Sequence, residues 1–232
     1  MNNILGNLPP VVKNLLIINI IVFIGTSLFE SFFISNFAVF YPDSPLFKTW
    51  QVITYMFMHG DLWHIFFNMF ALVMFGAIIE RVLGSKRFLN FYLICGLGAL
   101  VLQFGVQAIE VYQLSGSIRP IHEYGDLNSS LPQITNINYL EDIYKTPLVG
   151  ASGAIYGLLL AFAYLFPNME MMLIFFPVPV KAKYFIPVLI VIEIFLGFSN
   201  SGSSIAHLAH VGGALFGYIL LKVWKIRRTN FY

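Results

Sequence analysis

Three short polar clusters interrupt an otherwise apolar chain. One reads His59-Gly60-Asp61-Leu62-Trp63-His64-Ile65-Phe66-Phe67-Asn68. The second reads Gly150-Ala151-Ser152-Gly153-Ala154-Ile155-Tyr156-Gly157, and the third His207-Leu208-Ala209-His210-Val211-Gly212-Gly213. Their residue types suit nucleophilic chemistry. A serine hydroxyl attacks a carbonyl when a neighbouring base takes its proton, and histidine titrates in the range that task needs. Ser152 is the candidate nucleophile and His210 the candidate base. Near a helix start, backbone N–H groups lack partners. Those around Ser152 and Gly153 can therefore hold an oxyanion, and the helix dipole favours the charge. His64 and Asn68 are four apart and share a helix face, so both can add side-chain donors to the same oxyanion; Tyr156 likewise shares the face of Ser152. The Ser152 and His210 clusters hold no Asp or Glu to orient His210, so a two-residue pair is expected rather than a triad.

The elements that must position these groups are membrane spans. Of the 232 residues, 58% are hydrophobic and 10% charged, against about 25% charged in a soluble domain. The mean hydropathy is +0.78. Six spans of about 20 residues fill the length, at roughly 12–33, 62–83, 88–110, 147–166, 184–198 and 204–224. The expectation is an all-α membrane protein, a six-helix bundle in one domain, 1–232. Two outer segments remain, about 34–60 and about 111–146. The first carries Tyr41, Phe47 and Trp50 and belongs at the membrane surface. The second carries Glu123, Asp126, Glu141 and Asp142 and suits an exposed loop or small cap. Residues 167–183 contain Pro177 and Pro179 and read as an inner-face segment that re-enters as the fifth span. The first apolar run is long enough to span and lacks a small-residue cleavage site, so no cleavable signal peptide is expected. Cys95, the single cysteine, sits in an apolar run and reads as a packing residue.

Charge gives the orientation. With the N-terminus inside, Lys13, Arg81, Lys86, Arg87, Lys181, Lys183, Lys222, Lys225, Arg227 and Arg228 face inward, and only Lys48, Arg119 and Lys145 face outward. That ten-to-three asymmetry places both termini in the cytoplasm. The second, fourth and sixth spans then all run from outside to inside. Each carries its polar cluster within about two turns of its start, at a shared depth of about 5–10 Å. Gly153 and Gly157 form one small-residue track beside Ser152, and Gly213 and Gly217 form another beside His210. Such tracks let membrane helices touch backbone to backbone. That contact would bring Ser152 and His210 within hydrogen-bonding reach.

On these residues the chain resembles the rhomboid family of intramembrane serine proteases, over nearly its whole length. The family's GxSG motif is present as Gly150-Ala151-Ser152-Gly153, and its helix 6 AHxxG pattern as Ala209-His210-Val211-Gly212-Gly213. Its helix 2 histidine and asparagine are His64 and Asn68, and His59 matches an upstream histidine. The junction of the second and third spans reads Glu80-Arg81-Val82-Leu83-Gly84-Ser85, like the family's ER and following GS. The resemblance implies cleavage of transmembrane segments of other membrane proteins within the lipid bilayer. It also implies a cavity open to the outside, a lateral gate involving the second and fifth spans, and a stacking role for Tyr156 on His210. Gly150, Gly153 and Gly213 support the site, and the setting is a bacterial cell membrane. No nucleic acid, metal or cofactor is expected. The frequent Trp-Arg pair of the first outer loop reads Trp50-Gln51 here, so no arginine role carries over.

Other readings compete. His207 rivals His210 as base, and the AHxxG match favours His210. A zinc protease using His59, His64, His207 and His210 lacks HExxH, and histidines five apart do not stack on one helix face. A catalytically silent escort protein would be expected to lose Ser152 or His210, and both are present. A transporter would show paired repeats or a charged pathway. His59 is expected to organise the outer loop, Glu80 and Arg81 to form an inner-face pair, and Glu193 to lie near the outer interface without an assigned role.

Overall fold

The computed structural model describes residues 4–124, 136–173, 176–198 and 204–226; Asp126, Arg227 and Arg228 lie outside these residues. Pro10 opens α1 (Pro10–Leu28) at a position where its missing N–H costs nothing. The first predicted span is two helices, because the backbone breaks at Phe29 before α2 (Glu30–Phe37). A short α3 (Gln51–Thr54) and a 3-10 turn, Tyr55–Phe57, follow at the same end. The Tyr55 hydroxyl donates to the Gly96 carbonyl at 2.7 Å and pins this outer segment to the bundle.

The second span is continuous over 62–83 but not uniform. It comprises α4 (Leu62–Ala71), a π-turn at Leu72–Gly76 and α5 (Ala77–Leu83). Asp61 caps it, accepting from the His64 N–H at 2.9 Å. The π-turn has a consequence for facing. Twelve residues of plain α-helix would put Glu80 about 120° round from Asn68; one inserted residue brings them within about 20°. Both are buried, Asn68 at 6% and Glu80 at 2% exposure. Glu80 does not pair with Arg81 as expected. Its carboxylate accepts from the Val11 and Val12 N–H groups and the Ser85 hydroxyl, while Arg81 donates to the Asn7 carbonyl. Both residues anchor the start of α1.

Gly84, at φ 77°, turns the chain into α6 (Ser85–Ser115). At 31 residues α6 is about 46 Å long, more than the roughly 30 Å hydrocarbon core. Its far end stands clear and carries a second small core, where Tyr41, Val111, Leu140, Ile143 and Tyr144 pack together. The short helices α7 (Pro120–Tyr124) and α8 (Ile137–Lys145) complete this cap. Asp43 ties it down: its carboxylate accepts from the Ile121 and His122 N–H groups and the Tyr144 hydroxyl. The two outer segments therefore form one cap.

α9 (Ser152–Leu165) is short and almost wholly buried. An antiparallel hairpin, β1 (Glu170–Leu173) and β2 (Phe176–Lys181), joins it to α10 (Ala182–Phe198). The proline-rich segment that the sequence marks as non-helical is thus a two-stranded ribbon, where a proline without an N–H is tolerated on an edge. α11 (Ser204–Val223) closes the bundle against α6, α9 and α10.

Among the described residues, three helical units are long and apolar enough to cross a membrane: Pro10–Leu28, Leu62–Leu83 and Ser85–Ser115. Ser152–Leu165 and His207–Val223 are apolar but shorter. Large apolar side chains such as Ile21, Leu28, Val101 and Phe195 face outward. Hydrocarbon, not water, is the solvent for such a surface. This is an integral membrane protein with an all-α body.

Candidate active site

The site begins with two helices in backbone contact. A methyl group on Gly157 would lie 3.1 Å from the Gly213 carbonyl oxygen, and one on Gly217 would lie 3.1 Å from the Gly157 Cα. α9 and α11 can meet only because these positions lack side chains. Cys95 fills the third side, its Sγ 2.4 Å from where a Gly157 methyl would be. It is buried, as a packing residue should be.

This contact sets the distance between the polar groups above it. His210 Nε2 lies 2.8 Å from Ser152 Oγ, a hydrogen-bond length. The Tyr156 ring stacks on the His210 imidazole with centroids 4.4 Å apart and planes within 5°. His207 does not share this position. Its ring stands edge-on to His210 at 6.2 Å, and its Nδ1 turns toward Glu193.

Ser152 is the first residue of α9, so its own N–H and the next two lack a carbonyl one turn back. The chain reaches it through Gly150, held at φ 130° and hydrogen-bonded to the Tyr55 carbonyl. A side chain at Gly150 would collide with His64, whose Nε2 would be 2.8 Å from the added carbon. His64 has a defined tautomer. The Gly60 N–H approaches its Nδ1 at 3.3 Å, so Nδ1 accepts and Nε2 carries the proton. That proton lies beside a cavity of about 170 Å³ lined by Ser152, His210, Gly150 and Tyr55. Asn68 spends one amide proton on the His64 carbonyl at 2.8 Å and keeps a second. It borders a wider apolar cavity of about 550 Å³, between the second span, α9 and α10, that also reaches Ser152. Ser152 borders both cavities. His59 is buried edge-to-face against His64 at 5.0 Å.

A match to the rhomboid domain model covers residues 46–226, about three quarters of the chain and every residue of this site. The chain belongs to the rhomboid family. Among similar rhomboid proteins is "RHOMBOID-like protein 12, mitochondrial" of Arabidopsis thaliana, 29% identical over 95% of this chain and 60% of its own length. Rhomboid protease AarA of Providencia stuartii is 29% identical over 74% of this chain and 54% of its own length. Rhomboid protease GluP of Bacillus subtilis is 28% identical over 73% and 25%. The chain therefore spans three fifths or less of these relatives.

One contact runs against the sequence-based expectation. A carboxylate does lie beside His210: Glu193 Oε2 is 2.9 Å from His210 Nδ1 and 2.7 Å from His207 Nδ1. Its other oxygen accepts from the Tyr156 hydroxyl. The sequence assigns Glu193 no role and reads Ser152 and His210 as a pair without a carboxylate. Glu193 lies outside the motifs, on α10, 17 residues before His210. One signal was present: a carboxylate inside a span is costly unless it is matched with donors.

Proposed function

We propose that this rhomboid protein is an intramembrane serine endopeptidase that cuts peptide bonds in or near transmembrane segments of other membrane proteins. The observation that carries the reading is the 2.8 Å contact between Ser152 Oγ and His210 Nε2. Ser152 Oγ attacks the scissile carbonyl as its proton passes to His210 Nε2. The resulting oxyanion is held by the His64 Nε2–H, the free amide proton of Asn68 and the N–H groups that open α9. His210 then returns the proton to the leaving amine, releasing it and leaving an acyl-Ser152 ester. Water enters by the smaller cavity and attacks the ester carbonyl as its proton passes to His210; His210 then gives that proton to Ser152 Oγ as the ester C–O bond breaks, freeing the acid and restoring the serine. The apolar cavity between the second span and α10 suits a substrate segment arriving from the bilayer. The reaction uses no cofactor or metal.

The proposed setting is a bacterial cell membrane, with six spans and both termini in the cytoplasm. The ten-to-three asymmetry of basic residues supports this orientation. The similar proteins include mitochondrial and bacterial members alike. Cys95 is buried, so single cysteines introduced at Lys225 and Lys145 can be probed with a membrane-impermeant maleimide in intact cells. Labelling at Lys145→Cys alone is expected; labelling at Lys225→Cys would reverse the orientation.

The deciding test is a fluorophosphonate probe together with a reporter transmembrane segment. Wild type should be labelled and should cleave. Ser152→Ala and His210→Ala should each do neither while remaining folded. Cleavage retained by either variant would remove the residue from the mechanism.

A further inference from the structure

Glu193 is buried in a helix whose other faces are apolar. It is 8% exposed, whereas its neighbours Ile192 and Phe195 are 50% and 72% exposed. A carboxylate withdrawn from water must be met by donors. Here the Tyr156 hydroxyl, His207 Nδ1 and His210 Nδ1 meet it. The Glu193, His207 and His210 ligand atoms also lie within 4.8 Å of one another, a grouping that can suit a divalent cation. Spacing separates the two readings. Ligands about 2.1 Å from a tetrahedral ion sit about 3.4 Å apart. The 2.7 and 2.9 Å separations are instead those of shared protons. Each Nδ1 therefore carries a hydrogen directed at Glu193 Oε2.

We infer that Glu193 is a positioning residue for His210. By accepting the Nδ1 proton it holds the imidazole in the tautomer whose Nε2 lone pair faces Ser152 Oγ. Its charge balances the imidazolium formed when Ser152 loses its proton. The inference rests on the Ser152–His210 reading above. No bond to Glu193 forms or breaks: the serine proton moves to Nε2, and the Nδ1 proton stays on the ring. Tyr156 makes the restraint two-sided, because it stacks on the imidazole while its hydroxyl binds the same carboxylate. The assembly draws on three helices, with Ser152 and Tyr156 from α9, Glu193 from α10 and His210 from α11. His207 shares the carboxylate oxygen without taking the place beside Ser152.

The experiment uses the full chain in detergent micelles and compares wild type, Glu193→Gln, Glu193→Ala and His207→Ala. Glu193→Gln keeps size and an acceptor but removes the charge, and a fall in kcat of about 10–100-fold is expected. Glu193→Ala loses orientation as well and should fall by about 100–10,000-fold, with KM held within about threefold. Fluorophosphonate labelling of Ser152 should slow in parallel. His207→Ala should lose least. In wild type, 15N spectra of histidine-labelled protein should show His210 protonated at Nδ1, assigned by the signals missing in His210→Asn. An Nε2–H tautomer for His210 in wild type overturns the inference without any Glu193 variant having to fold. So does kcat within about threefold of wild type in both Glu193 variants while Ser152→Ala is inert. If Ser152→Ala still cleaves, the Ser152–His210 reading has failed instead.

Discussion

A methyl group placed on Gly213 would lie 1.9 Å from the carbonyl oxygen of Gly153. Backbone blocks it, and backbone cannot swing aside as a long side chain can. Gly213→Ala must therefore push α11 away from α9. The expected destabilisation is about 1–3 kcal/mol or more. A shift of about 1 Å between Ser152 and His210 should lower the cleavage rate by about 100-fold. Gly105→Ala is the control, because nothing lies within 4 Å of its added carbon. It should be neutral, or stabilising by up to about 1 kcal/mol. Thermal unfolding in detergent and reporter cleavage measure both.

Gly150 and His64 should behave as a unit. Gly150→Ala meets a backbone angle of φ 130° that alanine resists, and its new carbon displaces the His64 ring. His64→Ala removes one proposed oxyanion donor and should cost about 100–1,000-fold in kcat. Gly150→Ala should cost a comparable amount, and the double variant little more than either alone. Full multiplicative loss in the double variant would show that Gly150 acts independently of His64.

His59 should make stability depend on pH. Burial, with the nearby His64 adding to it, holds its pKa down to about 4, against 6.5 in the unfolded chain. The folded state therefore favours neutral His59. Its contribution is fully present above pH 6.5 and is lost as pH falls through about 4. The span of about 2.5 pH units corresponds to up to about 3 kcal/mol. Unfolding temperature followed from pH 8 to pH 4 should fall, and His59→Phe should flatten that fall.

Asp43 should govern the integrity of the outer cap. Its buried carboxylate serves two backbone N–H groups and the Tyr144 hydroxyl, and Arg119 lies 3.8 Å away. Burial, and after it the hydrogen bond to Asp43, pushes the Tyr144 hydroxyl pKa well above its ordinary value. Asp43→Ala leaves these donors unmatched, at about 1–3 kcal/mol for each that stays buried. Limited proteolysis should then cut within 111–146 at least about tenfold faster than in wild type. An unchanged rate would mean that the small apolar core alone holds the cap.

Several features were legible because they are local. The second span is readable as one apolar stretch bounded by Asp61 and Gly84, and the structure keeps those limits. Residues four apart share a helix face wherever the helix packs, so Ser152 with Tyr156 and His64 with Asn68 could be grouped in advance. The glycine pairs could be read as contact tracks for the same reason. The β1–β2 hairpin could not. Its prolines rule out a helix, but pairing Glu170 with Lys181 is a long-range choice between very short strands. The π-turn that aligns Asn68 with Glu80 is equally silent in the sequence, since Leu72–Gly76 reads as ordinary apolar helix.

By itself, the sequence determined which groups can do chemistry and on which helix faces they lie. Serine, histidine and glycine carry those roles in their own structures, and helical periodicity orders them. Only the tertiary structure decided that Glu193 joins His210. α10 is apolar nearly all round, so no periodic pattern states which face it turns inward. Packing against α9 and α11 sets that rotation, and with it the partner of His210 Nδ1.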